Sequence, residues 1–102
     1  MTTRVSDNRD LSRYEIHEDG ALAGFTQYDL DGEVIAFPHT EIDPEFGGRG
    51  LGSIMIREAL DDARRRRLTV QPSCPFVARF IAAHDDYLDL VAEADRGRFG
   101  LA

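Results

Sequence analysis

The stretch PEFGGRGLGS, Pro44 to Ser53, places glycine at 48, 50 and 52 and then runs directly into helix-forming residues. A glycine inside a helix costs about 1 kcal/mol relative to alanine, so three of them at a helix start need a reason. Two reasons are available: backbone angles closed to other residues, or a ligand that comes nearer than a Cβ permits. Either way a strand, a glycine loop and a helix must meet at one point. That junction confines the fold to a mixture of α and β.

The flanking sequence supplies the elements. RYEIH alternates and is followed by the turn signal Glu18-Asp19-Gly20; ALAGFTQYDL ends at Asp31-Gly32, a dipeptide favoured in tight hairpins; EVIAFPHTEI completes an antiparallel meander. Pro38 interrupts the ladder of that third strand, which predicts a bulge or an edge position. The main helix is expected over 50–67, with Leu51, Met55, Ala59 and Ile56, Leu60, Ala63 as its apolar stripe. Its opposite face carries Asp61/Arg65 and Asp62/Arg66 as i, i+4 pairs. LTVQP reads as a short strand, SCPFVARFIAAH as a second helix with Pro75 in its first turn, and DDYLDLV as a short helix. The predicted order is β-β-β-α-β-α, a mostly antiparallel α+β fold over 12–91, with residues 1–11 a flexible N-terminal tail and 92–102 a C-terminal tail.

At 102 residues and a net charge of −7, the chain is of single-domain size. Its acidity disfavours nucleic acid or an anionic membrane as partner and suits an amine-bearing one. One cysteine excludes an internal disulfide and argues against a cysteine metal site; no metal is expected. No apolar run approaches a membrane span, and the opening MTTRVSDNRD lacks the apolar stretch of a secretory signal. A cytoplasmic address is the expectation.

Physically, the glycine loop reads as an anion seat. The first N–H groups of a helix have no partner inside it and point at whatever occupies that end, which the helix dipole makes attractive to phosphate. The other reading is a loop whose glycines only manage a turn. A P-loop is excluded because no Gly-Lys-Ser/Thr follows. A dinucleotide fingerprint is excluded because Gly48-x-Gly50-x-Gly52 breaks the spacing and no acid follows about 20 residues on.

The strand, DPEFGGRGLGS and the amphipathic helix together resemble the acetyl-CoA loop of the GNAT superfamily of N-acetyltransferases. The motif Arg/Gln-x-x-Gly-x-Gly/Ala maps onto Gly47-Gly48-Arg49-Gly50-Leu51-Gly52, with Gly47 replacing the first Arg or Gln. HTEIDPEFGGRGLGS together with VQPSCPFVARFIAAHDDYLDLV is similar to a group of very short members of that superfamily, over about residues 13–91. Such proteins resemble the cofactor half of the fold and lack the N-terminal helices that usually shape an acceptor pocket. The resemblance implies acetyl-CoA as cosubstrate, its pantetheine arm pairing with backbone near Ile42 between two splayed strands. The pyrophosphate would rest on amides from Gly48 to Ser53, with Leu51 and Arg49 in the same loop. Arg79, on the second helix, is placed to reach a phosphate.

Acetyl transfer requires a neutral amine, a polarised thioester carbonyl and a proton for the departing thiolate. Cys74 stands between a strand and a helix that opens on proline, an N-cap position whose positive helix end favours the thiolate. It is a candidate nucleophile or acid, set against a small buried hydrophobe. His39 and Glu41 lie two apart on one strand and share a face, so either is a candidate base. Tyr87 is a candidate proton donor, while His84 suits a helix C-terminus. The run Arg64–Arg67 lies at the far end of the helix from the glycines and reads as a solvated, ion-paired face.

These readings make the expected activity an acyl-CoA N-acetyltransferase acting on a primary amine, small molecule or protein. The open acceptor side implies a large acceptor or a pocket completed by a second copy, a homodimer. The alternative is a non-catalytic CoA-binding sensor or interaction module.

Overall fold

The computed structural model describes residues 2–102. One five-stranded sheet runs in the order β1-β2-β3-β4-β5, comprising β1 (Thr3–Asn8), β2 (Arg13–Glu18), β3 (Ala21–Asp31), β4 (Val34–Ile42) and β5 (Thr69–Gln71). The first four are antiparallel neighbours, and β5 lies parallel to β4. Helix α1 (Leu51–Arg65) crosses from β4 to β5, and α2 (Pro75–Ala83) follows β5. A 3-10 segment, Asp85–Leu90, then packs against α2.

The local reasons are those of the sequence. Glu18 pairs with Ala21 across Asp19-Gly20, both at positive φ (50° and 85°), the geometry of a two-residue type I′ hairpin. On α1, Leu51, Met55, Ile56, Ala59, Leu60 and Ala63 are all buried. They pack against Tyr14, Ile16, Ile35 and Phe37 of the sheet. Burying a side chain of this class stabilises the fold by about 1.5–3 kcal/mol, so this one stripe anchors helix to sheet.

Two expectations are corrected. The predicted order lacks a strand: Thr3–Asn8, expected within a flexible tail, pairs along its whole length with β2. Its sequence, TRVSDN, has a single apolar residue because polar contacts fix it. Thr2 and Asp19 exchange backbone and side-chain bonds at 2.8 Å, Thr3 Oγ1 donates to Glu18, and the Tyr28 hydroxyl donates to Asp7 at 2.8 Å. Hydrophobic periodicity cannot register such a strand. Met1 lies outside the described residues. The segment 92–102, expected as a tail, forms a 3-10 turn at Glu93–Asp95 and packs Phe99 and Leu101 against the core. Those two apolar residues are too few to show a period.

The bulge expected at Pro38 is present. Between the pairs Gln27–His39 and Asp29–Ala36, Tyr28 alone opposes Phe37 and Pro38. The extra residue reverses the alternation of β4. Ile35 and Phe37 face the core, but beyond the bulge it is Thr40 and Ile42 that point towards the α1 side, and His39 and Glu41 are exposed.

Candidate active site

The junction after β4 is built by short-range bonds. The Asp43 amide donates to the Ala23 carbonyl (2.8 Å), and the Asp43 carboxylate accepts from the Glu45 amide (2.9 Å), opening a 3-10 turn at Pro44–Phe46. The Gly47 amide closes it on the Pro44 carbonyl. Gly48 (φ 79°) and Gly50 (φ 74°) then adopt left-handed angles, with open space where a Cβ would stand. Gly50 is the N-cap of α1 and offers no side chain to its orphan amides. The first helical bond is Ile54 N–H to the Gly50 carbonyl. Among the described residues, the six amides from Gly48 to Ser53 therefore have no acceptor in the protein.

Gly52 has a different cause. A Cβ there would lie 2.6 Å from Cζ of Phe76 and within 3.4 Å of two more ring carbons. The glycine lets the first turns of α1 and α2 approach, so both helix N-termini stand side by side. Gly24 on β3 is another close approach: its Cβ would fall 2.5 Å from the Glu41 carbonyl oxygen and 2.5 Å from Ile42 Cδ1. A lone glycine inside a strand is the signal for such contacts.

Beside this junction β4 and β5 part. Their pairing covers only Val34–Ala36 with Thr69–Gln71. The Cys74 amide then donates to the Phe37 carbonyl at 2.7 Å. Beyond it, Pro38 to Ile42 have no described strand on the β5 side. The result is a wedge with an open β4 edge on one side, Cys74 at its apex and the glycine loop at its mouth. Cys74 is the N-cap of α2, 6% exposed, and its side chain makes no capping bond.

Of the other predicted residues, His39 and Glu41 are brought together: Nε2 and Oε2 are 2.7 Å apart, and both side chains are more than half exposed. They belong to the sheet face opposite α1, where Phe25 lies 6.1 Å from the His39 ring and carries the Arg13 guanidinium 4.5 Å above its centroid. Tyr87 is placed elsewhere. It is 4% exposed, its hydroxyl donates to Asp61 (2.7 Å) and accepts from Arg57 (3.2 Å). Burial, with Asp61 beside it, raises its pKa and keeps the phenol neutral. Asp61 is ten residues along α1 from Leu51, about 15 Å of helix from the loop.

Three of the four residues in the arginine run, Arg64, Arg65 and Arg66, are ion-paired on the face of the fold, and Arg67 is exposed. Arg64 is bidentate to Asp89 (2.8 and 3.0 Å) and reaches the Asp86 carbonyl; Arg66 lies 3.5 Å from Asp62. Arg65 pairs with Asp62 at i, i+3, instead of the expected Asp61, because Tyr87 holds that carboxylate. Arg49 and Arg79 are different. Among the described residues neither makes an ion pair, a state they share with Arg4, Arg57, Arg67 and Arg96. Arg49 stacks 5.4 Å from the Phe46 centroid, and Arg79 shares a groove with Ser53. Two uncommitted cations thus flank six uncommitted amides.

No group of three or more His, Cys, Asp or Glu side chains among the described residues is arranged to hold a metal ion. No described helix is long and apolar enough to cross a membrane.

Comparisons with known proteins bear on the family and the fold. The family model described as GCN5-related N-acetyl-transferase matches residues 13–90. Among solved structures, the fold is similar to the solution structure of a GCN5-like candidate N-acetyltransferase from Staphylococcus aureus, at 22% identity and TM-score 0.68, over 87% of each chain. A crystal structure of nourseothricin acetyltransferase is a more remote match, at 21% identity and TM-score 0.49, over 67% of this chain and 55% of that one. No curated protein matches the sequence significantly. With the model covering most of its length, the chain belongs to the GCN5-related N-acetyltransferase family.

Proposed function

We propose that the chain transfers an acetyl group from acetyl-CoA to a primary amine. The observation that carries this reading is the row of six amides, Gly48 to Ser53, left without acceptors at the start of α1. A pyrophosphate supplies acceptors of the right charge for such a row. Gly48 and Gly50 hold the loop at angles other residues resist, and they put no side chain between backbone and ligand. Gly47, at an ordinary φ of −63°, keeps a Cβ from crowding the Pro44 carbonyl oxygen at 3.3 Å, Leu51 anchors the loop in the core, and Arg49 and Arg79 add charge. The open edge of β4 near Ile42 offers backbone groups to the amides of a pantetheine arm, as a missing strand would.

When bound, acetyl-CoA supplies an acetyl group activated as a thioester. Glu41, hydrogen-bonded to His39, takes the proton from the incoming ammonium and leaves the amine neutral. These two residues lie on the uncovered face of the sheet, the side from which an acceptor reaches the wedge. Cys74, at the apex, serves as proton donor to the departing thiolate or as a nucleophile that carries the acetyl group in passing. Tyr87, engaged with Asp61 and Arg57, holds the segment after α2 onto α1 and is not assigned the acid role.

That engagement of Tyr87 favours a second reading, a CoA-binding module without turnover. Mass spectrometry of the protein incubated with acetyl-CoA and an amine panel separates them. Transfer predicts a native complex and CoA release dependent on amine; loss of turnover with retained binding in Cys74→Ser assigns the thiol. A native complex without CoA release supports the binding module. The absence of any complex refutes both.

A further inference from the structure

The uncovered face of the sheet presents two rows of side chains, each taking one residue from each of β1 to β4. One row is Asn8, Arg13, Gln27 and His39; the other is Ser6, Glu15, Phe25 and Glu41. Phe25 therefore stands directly opposite Glu41, with Arg13 and His39 as its diagonal neighbours, a separation that an aromatic side chain can bridge. It bridges both. The Arg13 guanidinium lies 4.5 Å from the centroid of the Phe25 ring, and the His39 ring is 6.1 Å from it at 57°. Arg13 is held in turn. Its Nε donates at 2.8 Å to the buried Glu15 carboxylate, which also accepts from Asn8 Nδ2 at 3.0 Å.

The pair at the end of this series of contacts cannot hold itself. His39 and Glu41 are both exposed, and an exposed pair gains little in water against the freedom its side chains lose. Yet a general base needs a fixed carboxylate. With the imidazole proton on Nε2, His39 donates to Oε2 of Glu41 at 2.7 Å and leaves Oε1 for the incoming ammonium. We infer that Phe25 and Arg13 are positioning residues for the base: Phe25 walls the His39 ring, Arg13 pins Phe25, and the buried Glu15 anchors Arg13. The inference rests on the acetyl-transfer reading above and adds to it the part of the sheet that keeps Glu41 aimed. In this role neither residue touches the reacting atoms; each acts through His39.

Amine-dependent CoA release by the full chain tests it, with n-butylamine, ethanolamine, Nα-acetyl-lysine amide and spermidine as acceptors. On whichever of these the parent turns over fastest, Phe25→Leu should lower kcat about tenfold, a part of the roughly 10²–10⁴-fold that a general base supplies. Both KM values should stay within about twofold, since binding is untouched. Phe25→Tyr keeps the ring and should hold kcat within about twofold of the parent. Arg13→Lys keeps a charge on Glu15 but loses the planar stack, and should lower kcat about threefold. His39→Ala should cost about tenfold, and Phe25→Leu should then add nothing, because its effect runs through the imidazole. Losses that multiply in the double variant, or a Phe25→Leu effect confined to the amine KM, overturn the positioning role and leave acetyl transfer intact. A parent that releases no CoA with any of these amines overturns the acetyl-transfer reading and this inference with it.

Discussion

Gly52→Ala separates a glycine kept for packing from one kept for a ligand. The added methyl would meet the Phe76 ring at 2.6, 3.3 and 3.4 Å, so the ring must retreat by most of an ångström. Overpacking of this kind costs about 1–3 kcal/mol. Phe76 is only half-buried and can swing outward, which places the cost in the lower half of that range. Against it, alanine gains about 1 kcal/mol of helix propensity over glycine. The single variant should therefore be neutral to moderately destabilised. With Phe76→Ala the collision is gone while the propensity gain remains, so Gly52→Ala should then stabilise. Urea unfolding of the four proteins, followed by far-ultraviolet circular dichroism, should give a coupling of about 1–2 kcal/mol between the two positions. With a slope of about 1–3 kcal/mol per molar urea, that coupling is readable in the midpoints. Additivity within about 0.5 kcal/mol would refute the packing explanation.

Gly24→Ala should be worse, because its methyl meets the Glu41 carbonyl oxygen, which is backbone and cannot swing aside; a loss at or above the upper end of the usual 1–3 kcal/mol should appear in thermal unfolding. At high pH all three tyrosines resist ionisation. Burial, with Asp7 beside it, pushes Tyr28 up to about 12, and burial together with a carboxylate raises Tyr14 and Tyr87 as well. A raised pKa favours the neutral form in the fold, so this stability is present below the unfolded value of 10.0 and is lost as pH rises from there towards about 12. Tyrosinate absorbance should accordingly appear together with unfolding, and stepwise ionisation of a folded chain would contradict the network. At low pH the sign reverses. Burial pushes the Asp62 pKa up, but hydrogen bonds from Tyr14 and Arg65 and the Arg66 charge hold it below 3.8. Its contribution is present above that unfolded value and is lost as pH falls through the lower folded one. Asp62→Asn should flatten the acid limb of the stability curve, and an unchanged limb would count against it.

The fold was legible wherever one side of an element is apolar. The α1 stripe, the Asp19-Gly20 hairpin and the Pro38 bulge could be read because each has a local chemical cause. The first strand could not, since Thr2, Thr3 and Asp7 hold it through polar partners whose positions depend on the fold. The site divides the same way. The glycine pattern announced the junction, but its three alternate members have two causes, and the collision of Gly52 with Phe76 depends on how α1 and α2 meet. Likewise, nothing local in DDYLDLV indicates that Tyr87 closes on Asp61 and Arg57. His39 and Glu41 were legible as a pair, whereas the bulge decides which face of the sheet they occupy.

The central claim is that the amides from Gly48 to Ser53 receive the pyrophosphate. Nitrogen–proton correlation spectra recorded through a titration with CoA observe those amides individually. The account predicts that Gly48, Gly50, Gly52 and Ser53 show saturable shifts among the largest in the chain, and that Gly50→Ala weakens binding as the left-handed N-cap is lost. Saturable binding with these resonances unmoved, or no binding at all, would contradict it.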